Sequence, residues 1–395
     1  MPGMEGIPEL VTNDIELRSE EVSSWRLNLV VPSLDFKNSY GGITTAIRLM
    51  SRLSPEFGAI RIIATHQTQA EIDFSGWPEW SDDSDMLAPR SIVGIGDRSR
   101  PVSVIARDVF LATAWTTAIF ARRVIKRQVQ RFSEAVRHFV YFIQDYETGF
   151  YPWSVQSHYV ESTYRNAYDT IAVFNSARLA NFFRKAGALF SSEYVFEPLI
   201  HPDLRAIRLE TIDRPKERLI YVYARVGLPR NGFDLIIDSL RIWAREFPHA
   251  QNWSVVSFGT QHANITLGPS VVLQSMGKGS MYRYGDYLSR CWVGLSFQFM
   301  AHPSYSRLEM AEFGAWVITN KIENNDLSDI APNIVSVDEP SPEAVAESLS
   351  WCCSQYKAGM SAVLPDLPKI FEDREDEFPS ASELVKSWCH SRHAR

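Results

Sequence analysis

Cysteine is scarce in this sequence. The four present, Cys291, Cys352, Cys353 and Cys389, show no C-x-x-C spacing, which removes a zinc ribbon or a dithiol redox pair and fits free thiols in a reducing compartment. A basic excess is also missing: 40 Lys and Arg against 47 Asp and Glu give a net charge of −7 over 395 residues, so there is no global electrostatic footprint for nucleic acid. The first residues carry Glu5, Glu9, Asp14 and Glu16, where a signal peptide would place a basic and then an apolar region. The longest apolar run, Val109 to Ala121, is interrupted by threonines and falls short of the roughly 20 residues that a membrane span needs. A cytoplasmic location is expected, with any membrane contact peripheral and at the inner face. Short-period repeats and low-complexity tracts are lacking too, which removes solenoids and propellers.

What is present is an ordinary globular composition, 45% hydrophobic and 22% charged, at a length that suggests two domains of roughly 100–200 residues. After a polar, acidic segment over 1–25, apolar strand-like runs alternate with helical stretches. Leu27 to Pro32 reads as a buried strand, Tyr40-Gly41-Gly42 as a turn and Ile43 to Leu53 as an amphipathic helix, a strand, glycine loop and helix unit. Strands near Ala59–Thr65, Asp108–Trp115, Phe139–Gln144 and Thr170–Asn175 then alternate with helices near Thr116–Arg131 and Ser176–Lys185, the pattern of a parallel sheet with crossover helices. Periodicity lapses from Ile200 to Arg218, where a linker is expected. A second alternation comes after it, with strands at Arg218–Arg225, Trp253–Gly259, Val271–Gly277, Val293–Gln298 and Trp316–Asn320, and helices at Gly232–Phe247, Met281–Arg290 and Ser306–Gly314. The expectation is an α/β protein with Rossmann-like doubly wound domains at 26–205 and 206–375, a ligand cleft between them, and a C-terminal helix over 376–395 that packs back on the first domain.

Several side chains stand where such folds do chemistry. In Tyr223 to Phe233, YARVGLPRNGF, Arg225 ends a strand and Arg230 precedes a helix; two guanidinium groups beside a helix N-terminus suit a pyrophosphate, or are exposed loop arginines. Lys278 follows a strand directly after Gly277. It is no P-loop lysine, because Val272 and Gly279 stand where that motif needs glycine and Ser or Thr, so it is a point charge for an anion or a surface lysine. Gln144-Asp145-Tyr146-Glu147 and Phe150-Tyr151-Pro152-Trp153 follow a strand of the first domain. Asp145 and Glu147 are its candidates for contacting acceptor hydroxyls or steering a proton, or else are helix caps or ion-pair partners. Gly41 and Gly42 allow close backbone approach to a ligand, or simply make a turn.

The stretch His302 to Asn320, HPSYSRLEMAEFGAWVITN, carries a resemblance. It is similar to the retaining family-four glycosyltransferases of the GT-B fold, in which two glutamates eight residues apart precede a glycine and a strand. Glu309 matches the second glutamate, Gly314 the glycine and Val317-Ile318-Thr319 the strand. Arg225, Arg230 and Gly232 resemble that family's diphosphate-holding element, with Lys replaced by Arg. Ala301 stands in place of the first glutamate, a departure at the usual contact to the donor sugar. HPSY, LEMAEFG, VITNKIENNDLS, QDYE and FYPW further resemble the WsaF-type bacterial rhamnosyltransferases, from about Leu27 to the C-terminus, although Ser306 and Arg307 replace prolines expected there.

The resemblance implies a retaining, metal-independent rhamnosyltransferase of bacterial cell-surface polysaccharide synthesis. The nucleotide-sugar donor would be dTDP-β-L-rhamnose, bound as substrate with no further cofactor, and the acceptor a rhamnose-containing glycan, lipid-linked or free. Glu309 would hold the ribose, Arg225, Arg230 and Lys278 would neutralise the departing diphosphate, and Ser304 and Tyr305 would add base or phosphate contacts. The alternatives are another nucleotide-sugar donor, a nucleotide-sugar 2-epimerase, and a silent nucleotide-binding module. Three other patterns are set aside. Asp83-Ser84-Asp85 has metal-binding spacing but lies in a polar loop without a strand before it. Gly94-Ile95-Gly96 begins a dinucleotide fingerprint that fails at Ser99. Arg122, Arg123, Lys126, Arg127 and Arg131 form a basic helical stretch that suits anionic lipid or simply a solvated face.

Overall fold

The computed structural model describes residues 13–18, 24–34, 41–76, 78–82, 88–132, 137–165, 167–197, 199–322, 324–371 and 376–390. The chain divides into two compact units, one made of 1–197 and 376–395, the other of 198–375.

The first unit contains β1 (Ile15–Arg18), β2 (Arg26–Val31), β3 (Ala59–Ala64), β4 (Ser81–Asp82), β5 (Arg90–Gly94), β6 (Val102–Ile105), β7 (Asp108–Ala112), β8 (Phe139–Ile143), β9 (Ala167–Phe174) and β10 (Phe190–Val195), with helices α1 (Gly41–Leu53), α2 (Trp115–Phe132), α3 (Val155–Ser162) and α4 (Ala177–Lys185). Eight strands form one parallel sheet in the order β10-β9-β8-β7-β2-β3-β5-β4, and β1 pairs separately with β6. Every residue of β2, β7 and β8 is buried, as central strands covered on both faces require. At the amino ends of β2 and β7, Arg26 grips Asp108 through two hydrogen bonds of 2.6 and 2.8 Å, and Asn28 donates to the same carboxylate at 3.0 Å. Burial would raise the Asp108 carboxyl, but the Arg26 and Arg61 guanidiniums hold it below its ordinary value. This ion cluster keeps its charges paired at the end of the sheet away from the candidate site.

The second unit begins with α5 (Pro202–Glu210) and continues through β11 (Leu219–Ala224), α6 (Phe233–Glu246), β12 (Ser254–Gly259), β13 (Ile265–Gly268), β14 (Val271–Ser275), α7 (Met281–Arg290), β15 (Val293–Leu295), α8 (Tyr305–Glu312), β16 (Trp316–Asn320), β17 (Ile334–Val337) and α9 (Pro342–Ser354). Its sheet runs β13-β14-β12-β11-β15-β16-β17, parallel except for the β13–β14 pair. The chain then returns to the first unit as α10 (Ala381–His390). There Leu384 and Trp388 are fully buried in the core of β2, β3 and β8, and the Trp388 indole donates to the His138 carbonyl at 3.1 Å.

The linker expected over 200–218 is corrected. Pro202 at a first helical position and Asp203 in the first turn start α5, and Leu204 and Ile207 bury one turn apart in the second unit's core; the charged face between them masked the periodicity. Two strand ends also shift. Trp115 begins α2 rather than ending β7, and β15 stops at Leu295, where the segment to Ser304 leaves the sheet. Gly94 and Gly96 serve packing: a Cβ on Gly94 would meet the Thr68 backbone at 2.5 Å. Asp83 to Asp85 lies outside the described residues.

Candidate functional site

In the second unit the loops after β11, β12 and β14 are tied together at the carboxyl end of the sheet. Thr260 N–H donates to the Ala224 carbonyl at 2.8 Å, and Gly259 N–H donates to that of Gly277 at 3.0 Å. Arg225 therefore leaves β11 beside the Gly259–Thr260 turn, and Lys278 leaves β14 on the other side of it, between Gly277 and Gly279, both left-handed. Arg230 sits in the single turn Pro229–Asn231, and Gly232, at φ 57°, swings the chain into α6. A side chain there would press on Phe297 and Phe299, at 3.3 and 3.1 Å from a Cβ, so glycine is required by sterics as well as by φ. Phe299 N–H donates to the Arg230 carbonyl at 2.8 Å, which joins the arginine loop to the segment after β15.

That segment, from Phe297 to Ser304, is held by side chains rather than by a ladder. Asn320 accepts from Gln298 N–H at 2.7 Å and donates to the Gln298 carbonyl at 3.0 Å. Asn231 donates to the Gln298 side chain, Asn324 to the Ala301 carbonyl, and buried Asn325 to the carbonyls of Met300 and His302 at 2.8 and 3.0 Å. Sequence reasoning missed these asparagines. Their signal was the cluster of amide side chains at Asn320, Asn324 and Asn325, just after a buried strand where no turn glycine stands.

The segment ends in strain. Ser304 has φ 64° and ψ 134°, a region that L side chains rarely enter, and its N–H donates to His302 Nδ1 at 3.0 Å. Burial, with Arg307 beside it, pushes His302 down to about 3, so the ring is neutral, and accepting at Nδ1 leaves its proton on Nε2. Tyr305 then opens α8. The result is a helix N-terminus approached through a backbone turned out of its usual range, with the Ser304 N–H taken by His302 and the positive end of the α8 dipole just beyond it. One turn on, Glu309 is half-buried and accepts from the Tyr284 hydroxyl of α7 at 2.6 Å. Burial pushes its carboxyl up to about 7 against that hydrogen bond. Tyr284 was also missed; with Met281 and Leu288 it reads as a core stripe of α7. Ala301 is buried and brings no carboxylate to the place of the absent glutamate.

The first unit gathers a second cluster at the carboxyl ends of β2 and β8. Gly42, in the first turn of α1, packs against Gln144: a Cβ there would lie 2.7 Å from Gln144 Oε1. Gly41 opens the same helix, and Tyr40 lies outside the described residues. Asp145 is buried and accepts from Tyr146 N–H at 2.8 Å. Glu147 Oε2 accepts from Trp115 N–H at 2.7 Å, from the Tyr141 hydroxyl at 2.7 Å and from that of Tyr164 at 3.3 Å. It therefore caps α2, and burial pushes its carboxyl up to about 7 despite these donors. Its position is that of a group holding the β8 loop to α2, where Trp115 Nε1 also donates to the Tyr151 hydroxyl at 3.1 Å. In the basic stretch, Arg122 pairs with Asp169 at 2.8 Å and Arg127 donates to the Ile15 carbonyl, so these two side chains are engaged within the fold.

Residues 26–177 match the WsaF N-terminal domain and residues 218–350 the WsaF C-terminal domain. The chain belongs to the WsaF family. The two matches fall one on each compact unit, and the WsaF C-terminal domain contains Arg225, Arg230, Lys278 and Glu309 alike. The chain is also 29% identical over 267 residues to the O-antigen biosynthesis protein RfbC of Myxococcus xanthus, covering 67% of this chain and 20% of that protein; it thus spans about a fifth of that relative's length. Among solved structures it is similar to Anabaena HepE in complex with UDP-glucose (TM-score 0.57, 11% identity, 92% of this chain and 99% of that one). It is likewise similar to the sucrose-phosphate synthase of Thermosynechococcus elongatus (TM-score 0.54, 13% identity, 84% and 90%). The WsaF-family chain has the GT-B fold.

Proposed function

We propose that this WsaF-family chain is a glycosyltransferase of bacterial cell-surface polysaccharide assembly, transferring L-rhamnose from dTDP-β-L-rhamnose to a rhamnose-containing glycan with retention and without a metal ion. The observation that carries the transferase reading is the match of both WsaF domains to this chain, with Glu309 and the strand-end cations in the second. A nucleotide-sugar donor is supported by HepE, which is described in complex with UDP and with UDP-glucose. Rhamnose rests on the WsaF-type resemblance, and a surface polysaccharide on the RfbC relative.

In this proposal Glu309 accepts from the ribose hydroxyls, with Tyr284 fixing its carboxylate. Arg225, Arg230 and Lys278 face the diphosphate, and the N-terminus of α8 at Tyr305, with the Ser304 hydroxyl before it, adds a fixed dipole and a polar contact. Negative charge grows on the diphosphate as the glycosidic bond breaks, so cations and dipoles already in place stabilise that state more than the ground state. Asp145, beside Gly42 and Gln144, serves the acceptor hydroxyls. Buried Ala301 leaves the sugar to be held by other groups, and a silent nucleotide-binding module is the competing reading that this residue favours. Calorimetric titration of the metal-free protein with dTDP, UDP and GDP, followed by mass spectrometry of rhamnose oligosaccharides incubated with dTDP-rhamnose, tests the proposal. Selective dTDP binding and a product heavier by one rhamnosyl group are expected. Preference for UDP or GDP overturns the donor, and binding without transfer favours the silent module.

A further inference from the structure

Trp153 is fully exposed, and Val155 and Tyr159 beside it are 66% and 40% exposed. Val155 and Tyr159 lie four residues apart in α3 and so share one face of it. This display is built rather than loose. On one side, Tyr151 is held by the Trp115 indole through the 3.1 Å hydrogen bond and an edge-to-face ring contact at 6.1 Å. On the other, Ser154 caps α3 by accepting from Ser157 N–H at 3.2 Å, while its own N–H donates to Ser157 Oγ at 2.9 Å. Pro152 restricts the backbone between them. The backbone that carries the exposed indole is thus held on both sides of it.

The place is informative as well. The segment follows β8 at the carboxyl end of a parallel sheet, where ligands of open α/β sheets bind, and Gln144 at its start touches Gly42. Its charge is wrong for a bilayer: from 144 to 165 the acidic side chains are Asp145, Glu147 and Glu161, and Arg165 is the single cation. The basic side chain of α2 nearest to α3, Arg122, reaches the carbonyls of Ser162 and Thr163, at the other end of that helix, about 12 Å along its axis from Val155. An uncharged ligand with an apolar face suits an exposed aromatic surface whose neighbouring chain, 144–165, has no lysine and one arginine, paired with Glu161.

We propose that Trp153, with Val155 and Tyr159, is a stacking platform for the acceptor: a neutral oligosaccharide whose C–H face lies on the indole. This rests on the transferase activity proposed above. The probe is a synthetic α-linked rhamnose trisaccharide, titrated by saturation-transfer NMR into wild type, Trp153→Ala and Trp153→Phe, with dTDP titrated in parallel. Wild type should bind the trisaccharide, Trp153→Ala at least about tenfold more weakly, and Trp153→Phe within about threefold of wild type, since a phenyl ring keeps most of the aromatic face. dTDP affinity should be the same in all three. Absence of trisaccharide binding in wild type, or equal binding in Trp153→Ala, overturns the platform. So does loss of sedimentation with phosphatidylglycerol vesicles in Trp153→Ala while saccharide binding persists, which would make the patch a membrane contact. Loss of trisaccharide binding in Trp153→Ala from a protein that binds no nucleotide would leave the platform standing and remove the donor reading alone.

Discussion

Arg225 and Ser304 represent opposite relations between a side chain and its fold. Arg225 extends from a strand end into a loop knit by backbone hydrogen bonds, so removing its guanidinium should leave the unit folded and act on the ligand. Arg225→Ala is expected to weaken dTDP binding by about 1.5–3 kcal/mol, the range for a charge-assisted hydrogen bond, measured by calorimetry; unchanged affinity would take this residue out of the site. Ser304 holds its backbone at φ 64° at a cost on the order of 1 kcal/mol or more. Ser304→Gly should therefore raise the melting temperature of the second unit while dTDP affinity stays within about threefold, because the dipole of α8 belongs to the backbone. A lower melting temperature would mean that the contact of the Ser304 hydroxyl with Ser306, at 3.3 Å, outweighs the strain.

At the scale of the element, α10 belongs to the first unit although it follows the second in sequence. Trp388 is fully buried, bonded to the His138 carbonyl and packed edge-on against Phe57 at 6.1 Å. Trp388→Ala should destabilise the first unit by about 3–5 kcal/mol and leave dTDP binding by the second intact, as differential scanning calorimetry with and without dTDP would register. Elements with a clean apolar stripe were legible in sequence: α7 and β16 have the bounds expected of them. Short elements with one buried turn were not, as α3 and α5 illustrate, because one or two apolar residues make no period. The placement of Arg225 and Lys278 after strands β11 and β14 was legible, because each follows an apolar run. The asparagines that pin 298–302 and the Tyr284 partner of Glu309 were not, since each acts through a contact distant in sequence.

For the whole molecule, among the described residues each unit carries one carboxyl held at about 7 in the fold against an ordinary 4.5, Glu147 in the first and Glu309 in the second. Between pH 4.5 and 7 both bind more protons folded than unfolded. Their contribution is therefore most favourable below about 4.5, falls as pH rises, and levels off above 7. The fall is on the order of 2 kcal/mol for each after allowance for water around these half-buried residues. Thermal unfolding followed from pH 5 to 8 should show it, with Glu147→Gln flattening the dependence in the first unit and Glu309→Gln in the second. A slope that survives both substitutions would assign it to other groups.

The return of α10 to the first unit also sets an order of events during protein synthesis. The ribosome makes strands β1 to β10, then all of 198–375, and only afterwards the helix that fills the first unit's core with Leu384 and Trp388. At about 5–20 residues per second the gap lasts on the order of ten to forty seconds. Throughout that interval the nascent first unit exposes the apolar seat of α10, around Leu53 and Phe57. That seat is apolar surface of the kind holdase chaperones bind, so the yield of folded chain is expected to fall when chaperone supply during translation is lowered, by more than the stability of the finished chain suggests.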